Sequence, residues 1–359
     1  MLSRIAEALF WLGRYIERAD DTARILDAFM HRLLDDPTTD EEAACRTLFA
    51  ILGVAVSDSA ASASTAPNST ASGSTASGST ASDSAVSDST APGGSADLES
   101  CDAQTVMARL GFDVDNPSSV AGAWRAGHDN ARGVREVIST ETFECLNATR
   151  NSLPAQSRVA GRVGPYAFLR YVRERAALFS GLADSTMSRD DGWLFLTLGR
   201  NLERVDMTAR LLSVRVLASQ YAPDWPTLLR ATGADEPYRR MEGWVSDPSE
   251  SAARFLVLEP DFPRSIVFAL GAAEQCLGQL SGAPQTLRAR GVHVIAPSAR
   301  RVIGRARTML EYVDAEHLVA QLPGVLKELQ EACVAATAQI AEEYFQYGAP
   351  VTWLNERTD

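Results

Sequence analysis

The chain has 359 residues, 45% of them hydrophobic, with 46 acidic against 34 basic side chains and a net charge of −12. That is enough apolar material for one large domain or two ordinary ones, and the negative balance argues against nucleic acid or an anionic membrane surface as partner. No run of about 18 apolar residues offers a membrane span, and Arg4, Glu7 and Arg14 come too early for a secretory leader, so a soluble, cytoplasmic protein is expected.

Apolar spacing predicts helices over about 2–34, 40–56, 102–111, 118–137, 140–152, 164–183, 188–220, 225–232, 249–257, 264–281, 297–312 and 324–346. Turn signals such as Asp36-Pro37, Asn116-Pro117, Leu153-Pro154 and Ala222-Pro223 separate them. No alternating pattern is long enough for a sheet, so the fold class is all-α: a helical bundle whose long helices lie at about 2–34 and 188–220. From about 57 to 95 the composition collapses to Ser, Ala, Thr, Gly and Asp, and this stretch is expected to be a disordered insertion, because it has too little apolar surface to offset the entropy of ordering.

The two long helices carry one phrase twice. Residues 12–26 read LGRYIERADDTARIL and residues 198–212 read LGRNLERVDMTARLL, identical at ten of fifteen positions. Internal similarity of this kind marks duplicated units, so two halves are expected, at 1–160 and 161–359, packed as one domain. A weaker echo joins Arg132-Gly133-Val134 to Arg264-Ser265-Ile266.

On a helix, Leu9, Leu12, Tyr15, Ile16, Ala19, Ala23 and Leu26 share one broad face, the expected core contact. Gly13, Glu17, Asp20 and Arg24 form a narrow stripe beside it, with Arg14, Arg18 and Asp21 farther round; the second copy supplies Gly199, Arg200, Glu203, Arg204, Asp206 and Arg210. Exposed i,i+4 pairs such as Asp20–Arg24 contribute only about 0.3 kcal/mol each. That is too little to account for every charged identity recurring while Ile16/Leu202 and Ala19/Val205 differ. A buried network explains it better, since a charge stranded without its partner costs about 3–5 kcal/mol. A mid-helix glycine costs about 1 kcal/mol against alanine, so Gly13 and Gly199 point to close helix approach.

The stripe is either structural, holding the two copies around an approximate twofold axis, or also a ligand-binding surface. Two further places are candidate sites. Phe262-Pro263-Arg264-Ser265 reads as a helix opening whose Arg264 could hold a carboxylate or phosphate. Asn130 to Glu136 concentrates polar groups, with Arg132 and Arg135 among them, ahead of Ser139, a plausible helix start. No metal or cofactor is expected: Arg crowds the carboxylates, His31, His128, His293 and His317 are scattered, and only Asp314-x-x-His317 has helical ligand spacing. The cysteines Cys45, Cys101, Cys145, Cys276 and Cys333 have no CxxC spacing and read as buried thiols. No nucleophile elbow, phosphate loop or HExxH motif occurs, so no catalytic residue is named.

The stretches SRIAEALFWLGRYIERADDTARIL, TLGRNLERVDMTARLL, NARGVREVISTETFECLN, FLVLEPDFPRSIVFAL and AEEYF, in that order, resemble the alpha-E family of bacterial and archaeal helical proteins, and the likeness covers all but the Ser/Ala-rich stretch. By that resemblance the family's Glu-Arg motif falls on Glu17-Arg18 and Glu203-Arg204. The chain departs in its insertion and in Phe143, where the family commonly has Trp. Members are typically encoded or fused beside ATP-grasp ligases and transglutaminase-like proteins. The resemblance therefore implies a non-catalytic accessory or scaffold partner of an ATP-grasp, amide-forming system. Two alternatives stay open: an enzyme binding an amino acid or peptide carboxylate through the Glu/Arg/Asp stripe, and a purely structural helical protein.

Overall fold

A computed structural model describes residues 1–53, 101–217, 222–241, 247–281 and 298–345. The Ser/Ala/Thr-rich stretch at about 57–95 and His293 lie outside the described residues. The protein is all-α, with no strand among the described residues. Its helices are α1 (Ser3–Asp35), α2 (Glu41–Ile51), α3 (Ala103–Val106), α4 (Val120–Arg132), α5 (Thr140–Val163), α6 (Tyr166–Thr186) and α7 (Asp191–Leu217), followed by α8 (Trp225–Thr232), α9 (Asp235–Arg240), α10 (Pro248–Leu258), α11 (Ile266–Ser281), α12 (Ala299–Glu311) and α13 (Leu318–Tyr344). A π-helical turn, Met107–Phe112, continues α3.

The organising contact is between α1 and α7, which lie side by side and run in the same direction: the contacts advance together along both chains, from Met1 with Asp191, through Gly13 with Leu196 and Arg200, to Glu17 with Arg204. Their neighbours come in matching sets. α4 and α6 pack on α1 as α11 and α13 pack on α7, while α2 lies chiefly against α7 and α8 against α1. α5 then joins α4 to α6 as α12 joins α11 to α13. Residues 160 and 161, expected to separate the halves, both lie inside α5.

Burial on α1 goes well beyond the expected face. Leu9, Leu12, Ile16, Ala19, Ala23 and Leu26 are buried, and Tyr15 partly, but so are Phe10, Arg14, Glu17, Asp20, Asp21 and Ile25. A helix enclosed by neighbours on most sides has no single apolar stripe, and here its second buried stripe is charged.

Several helix boundaries differ from the sequence reading. α5 runs through Pro154 to Val163 instead of stopping near 152; Pro154 is exposed, so water can meet the Arg150 carbonyl that its missing N–H leaves free. The segment expected as one helix over 118–137 ends at Arg132, and residues 133–138 form turns. α13 starts at Leu318 and runs through Pro323, whose missing N–H leaves the Val319 carbonyl without its helical donor. The short α9 had no counterpart among the expected helices.

Candidate functional site

Gly13 and Gly199 set how closely the two long helices approach. A Cβ on Gly13 would stand 2.1 Å from the Leu196 carbonyl oxygen, and one on Gly199 would stand 2.0 Å from that of Phe10. Phe10 and Leu196 are themselves separated by the same 186 residues as the two glycines, so each helix presses its glycine on the equivalent carbonyl of the other. One turn farther on, this approach decides what the charged side chains can reach.

The charges pair across the seam. Arg18 of α1 grips Glu203 of α7 with two donors, Nε to Oε1 at 2.5 Å and Nη2 to Oε2 at 3.2 Å. Arg204 of α7 grips Glu17 of α1 in the same way and at the same distances. Two parallel N–H···O bonds fix orientation as well as charge. Arg14 adds a third hold on Glu203, 2.6 Å from Nε to Oε2, and donates to Thr337 of α13 at 3.0 Å. Within each helix the expected i,i+4 pairs form: Arg24 to Asp20 and Arg210 to Asp206, each at 3.0 Å. Glu203 is fully buried and Glu17 is 4% exposed, so these are interior pairs.

The outer arginines are placed by glycines at helix ends. Gly53 follows α2 and Gly233 caps α8, with φ of 68° and 69°, a conformation that a Cβ would strain. A Cβ would also come within 3.0 Å of Arg210 Nη1 at Gly53 and 3.1 Å of Arg24 Nη1 at Gly233. Each short helix therefore ends over an arginine of the long helix from the other half of the sequence.

The two ends of the network differ at Arg264. Its guanidinium donates to Asp20 and Asp21 and lies 3.0 Å from Glu17. The carboxylate that its sequence context suggested it would hold is thus the chain's own. Arg264 stands just before α11, where the Ser265 hydroxyl bonds the Glu259 carbonyl and accepts the Phe268 N–H. Ser119 does the same before α4, bonding the Asp113 carbonyl and accepting the Gly122 N–H. The structural counterpart of Pro263-Arg264-Ser265-Ile266 is therefore Pro117-Ser118-Ser119-Val120, not the Arg132-Gly133-Val134 echo read from the sequence. The shared Pro-x-Ser-aliphatic pattern was the available signal. Ser118 stands where Arg264 does, and Met207 stands where Asp21 does, so only one end gathers three carboxylates.

Electrostatics follow from this crowding. Burial by itself raises the Glu17 pKa, but Arg204 and Arg264 more than offset it and bring it down to about 2. Glu203 behaves alike, with burial opposed by Arg18 and Arg14, and also falls to about 2. Asp21 goes the other way: burial, with Glu17 and Asp20 adding to it, raises its pKa to about 8 despite Arg264. Its Oδ2 has no hydrogen-bond partner among the described residues, and a hole of about 10 Å³, room for one water, adjoins Asp21 between Thr208, Thr232 and Arg264. Oxygens of Glu17, Asp20 and Asp21 come within 4.8 Å of one another, the spacing of a cation site, but Arg264 already supplies the positive charge there.

The remaining candidates sit elsewhere. Arg200 is half-buried and lies 3.5 Å from Asp184. Arg132 is exposed at the end of α4, and Arg135 is exposed over the Phe143 ring, 4.1 Å from its centre. His317 pairs with Asp314 at 2.9 Å on the surface. The residue missed by the sequence reading is Asp21. Its angular position placed it outside the stripe, and only α11 brings Arg264 to it.

A model of an alpha-helical domain family with a conserved Glu-Arg motif, Alpha-E, matches residues 1–345. The chain belongs to the Alpha-E family. Curated relatives in Mycobacterium bovis and Mycobacterium tuberculosis, all named only as uncharacterised proteins, are 26% identical over 336 residues. The match takes in 90% of this chain but 35% of each relative, so the chain spans about a third of their length. No solved structure matches. In this Alpha-E chain the two Glu-Arg pairs, Glu17-Arg18 and Glu203-Arg204, exchange partners: each glutamate takes the arginine adjoining the other, and Arg264 and Arg14 add a further hold on Glu17 and Glu203. No described helix is long and apolar enough to cross a membrane.

Proposed function

We propose that this Alpha-E chain is a non-catalytic helical partner in a cytoplasmic, ATP-grasp-dependent amide-forming system, a scaffold and not the ligase. The closure of the Glu-Arg network carries the non-catalytic part of this reading, and the family resemblance supplies the ATP-grasp partner. Glu17 and Glu203 are buried, each is held by at least two arginines, and both are kept ionised far below neutral pH. A carboxylate so engaged is a poor proton acceptor, because taking a proton would break its ion pairs. The duplicated phrase then serves to fix the geometry of one assembly built from two similar halves. The length of the relatives agrees with a module that works in company: in them the matched region is joined to about twice its own length of other sequence.

The alternative, an enzyme that binds an amino acid or peptide carboxylate through the same stripe, has less support, because those arginines already hold internal carboxylates. Co-expression with an ATP-grasp protein and a transglutaminase-like protein of the kinds that accompany family members tests the proposal. The expected result is a complex with the ATP-grasp protein that survives gel filtration. Failure to associate at micromolar concentration would overturn the scaffold reading.

A further inference from the structure

Away from the α1–α7 seam, the turn after α1, α3 with its π-helical continuation and the junction of α5 with α6 enclose a half-open pocket of about 800 Å³. Its volume lies in the range of small-molecule sites, about 300–1,000 Å³. The wall is mainly aliphatic and aromatic, with Met30, Met107, Phe112 and Tyr166 around the body of the pocket. Methionine side chains adapt to irregular apolar shapes. Among the described residues of the wall Glu41 alone is charged; one of its oxygens accepts the Ala103 N–H at 3.0 Å, and the residue is exposed at the mouth.

A second observation points to the same place. The π turn Met107–Phe112 contributes Met107, Ala108 and Phe112 to the wall. π turns are rare, and they occur often at functional sites. Residues 54–100, which join α2 to the segment before α3, carry acidic but no basic side chains and few large apolar ones, a poor complement to an apolar pocket with a carboxylate at its mouth.

We infer that this pocket binds a small cationic amphiphile, with its apolar body between α1, the π turn and α5 and its ammonium head at Glu41. The inference is independent of the partner reading, since it uses none of the seam residues.

Nile red, a neutral apolar dye, and dodecylamine test it on the full chain. The expected result is saturable Nile red binding in the micromolar range, with dodecylamine displacing the dye better than dodecanoate does. A Cβ on Gly161 would meet nothing within 4 Å among the described residues, so Gly161→Trp fills the pocket from α5 without a clash at its base and should weaken dye binding by about tenfold or more at an unchanged melting temperature. Ala108→Trp, from the exposed side of the π turn, gives the same loss should the first variant fold poorly. Glu41→Gln should leave Nile red binding intact and remove the advantage of dodecylamine over dodecanoate. The inference is overturned by absence of saturable binding, by full binding in a folded pocket-filling variant, or by dodecanoate competing as well as dodecylamine.

Discussion

Glu203 of α7 and Arg18 of α1 meet through two hydrogen bonds, while their sequence neighbours Arg204 and Glu17 form the same pair in reverse. Neither glutamate is paired with the arginine beside it in the chain. The motif therefore works between helices.

Removing one partner of such a buried pair should be costly. Glu203→Ala takes away the carboxylate that Arg14 and Arg18 share and leaves them only Asp206, 3.9 Å from Arg14, and a loss of about 3–5 kcal/mol is expected. Urea titration followed by circular dichroism reads it; a change below about 1 kcal/mol, the scale of an exposed pair, would show that the network is solvated.

The glycines should be equally intolerant. Gly13→Ala and Gly199→Ala each gain helix propensity but place a methyl group against a backbone carbonyl, so a net loss of about 1–3 kcal/mol is expected for each. Because one increase in helix separation relieves both clashes, the double variant should lose less than the sum of the two. Additive losses would mean that the contacts yield independently.

Asp21 gives the pH dependence its sign. Its pKa rises from an ordinary 3.8 to about 8 in the folded chain, so the native state holds this proton more tightly than the unfolded state does. Its contribution to stability is therefore greatest in acid, falls as pH rises from about 4 to about 8, and is flat above. Glu17 and Glu203 act oppositely. Their stabilisation is present above the ordinary 4.5 and is lost as pH falls toward about 2. Asp21→Asn should flatten the stability profile between pH 5 and pH 8 and leave the acid limb in place, as measured by urea midpoints across that range; an unchanged slope would remove Asp21 as its source.

All five thiols are buried, and burial pushes Cys45 and Cys333 up to about 12 and Cys276 to about 11. Thiolate is the reactive form. Ellman's reagent should accordingly find almost no reactive thiol in the native protein and all five after unfolding in guanidinium.

The sequence alone determined the all-α class, the two long helices and the place where they meet, because apolar period and the repeated LGR…ER…TAR phrase are local signals that survive without the fold. It also marked Gly13, Gly199 and the Glu-Arg pairs, since a glycine and matched charges inside a helix make sense only under close packing. Tertiary structure decided the partners. Arg18 reaches Glu203 instead of a residue on its own helix because the glycines bring α1 and α7 within reach, and Asp21 joins the network only because Arg264, 243 residues away in the chain, is delivered by the start of α11. Proline signals misled for a related reason: whether Pro154 ends a helix depends on whether the freed carbonyl faces water, and packing, not the residue, settles that.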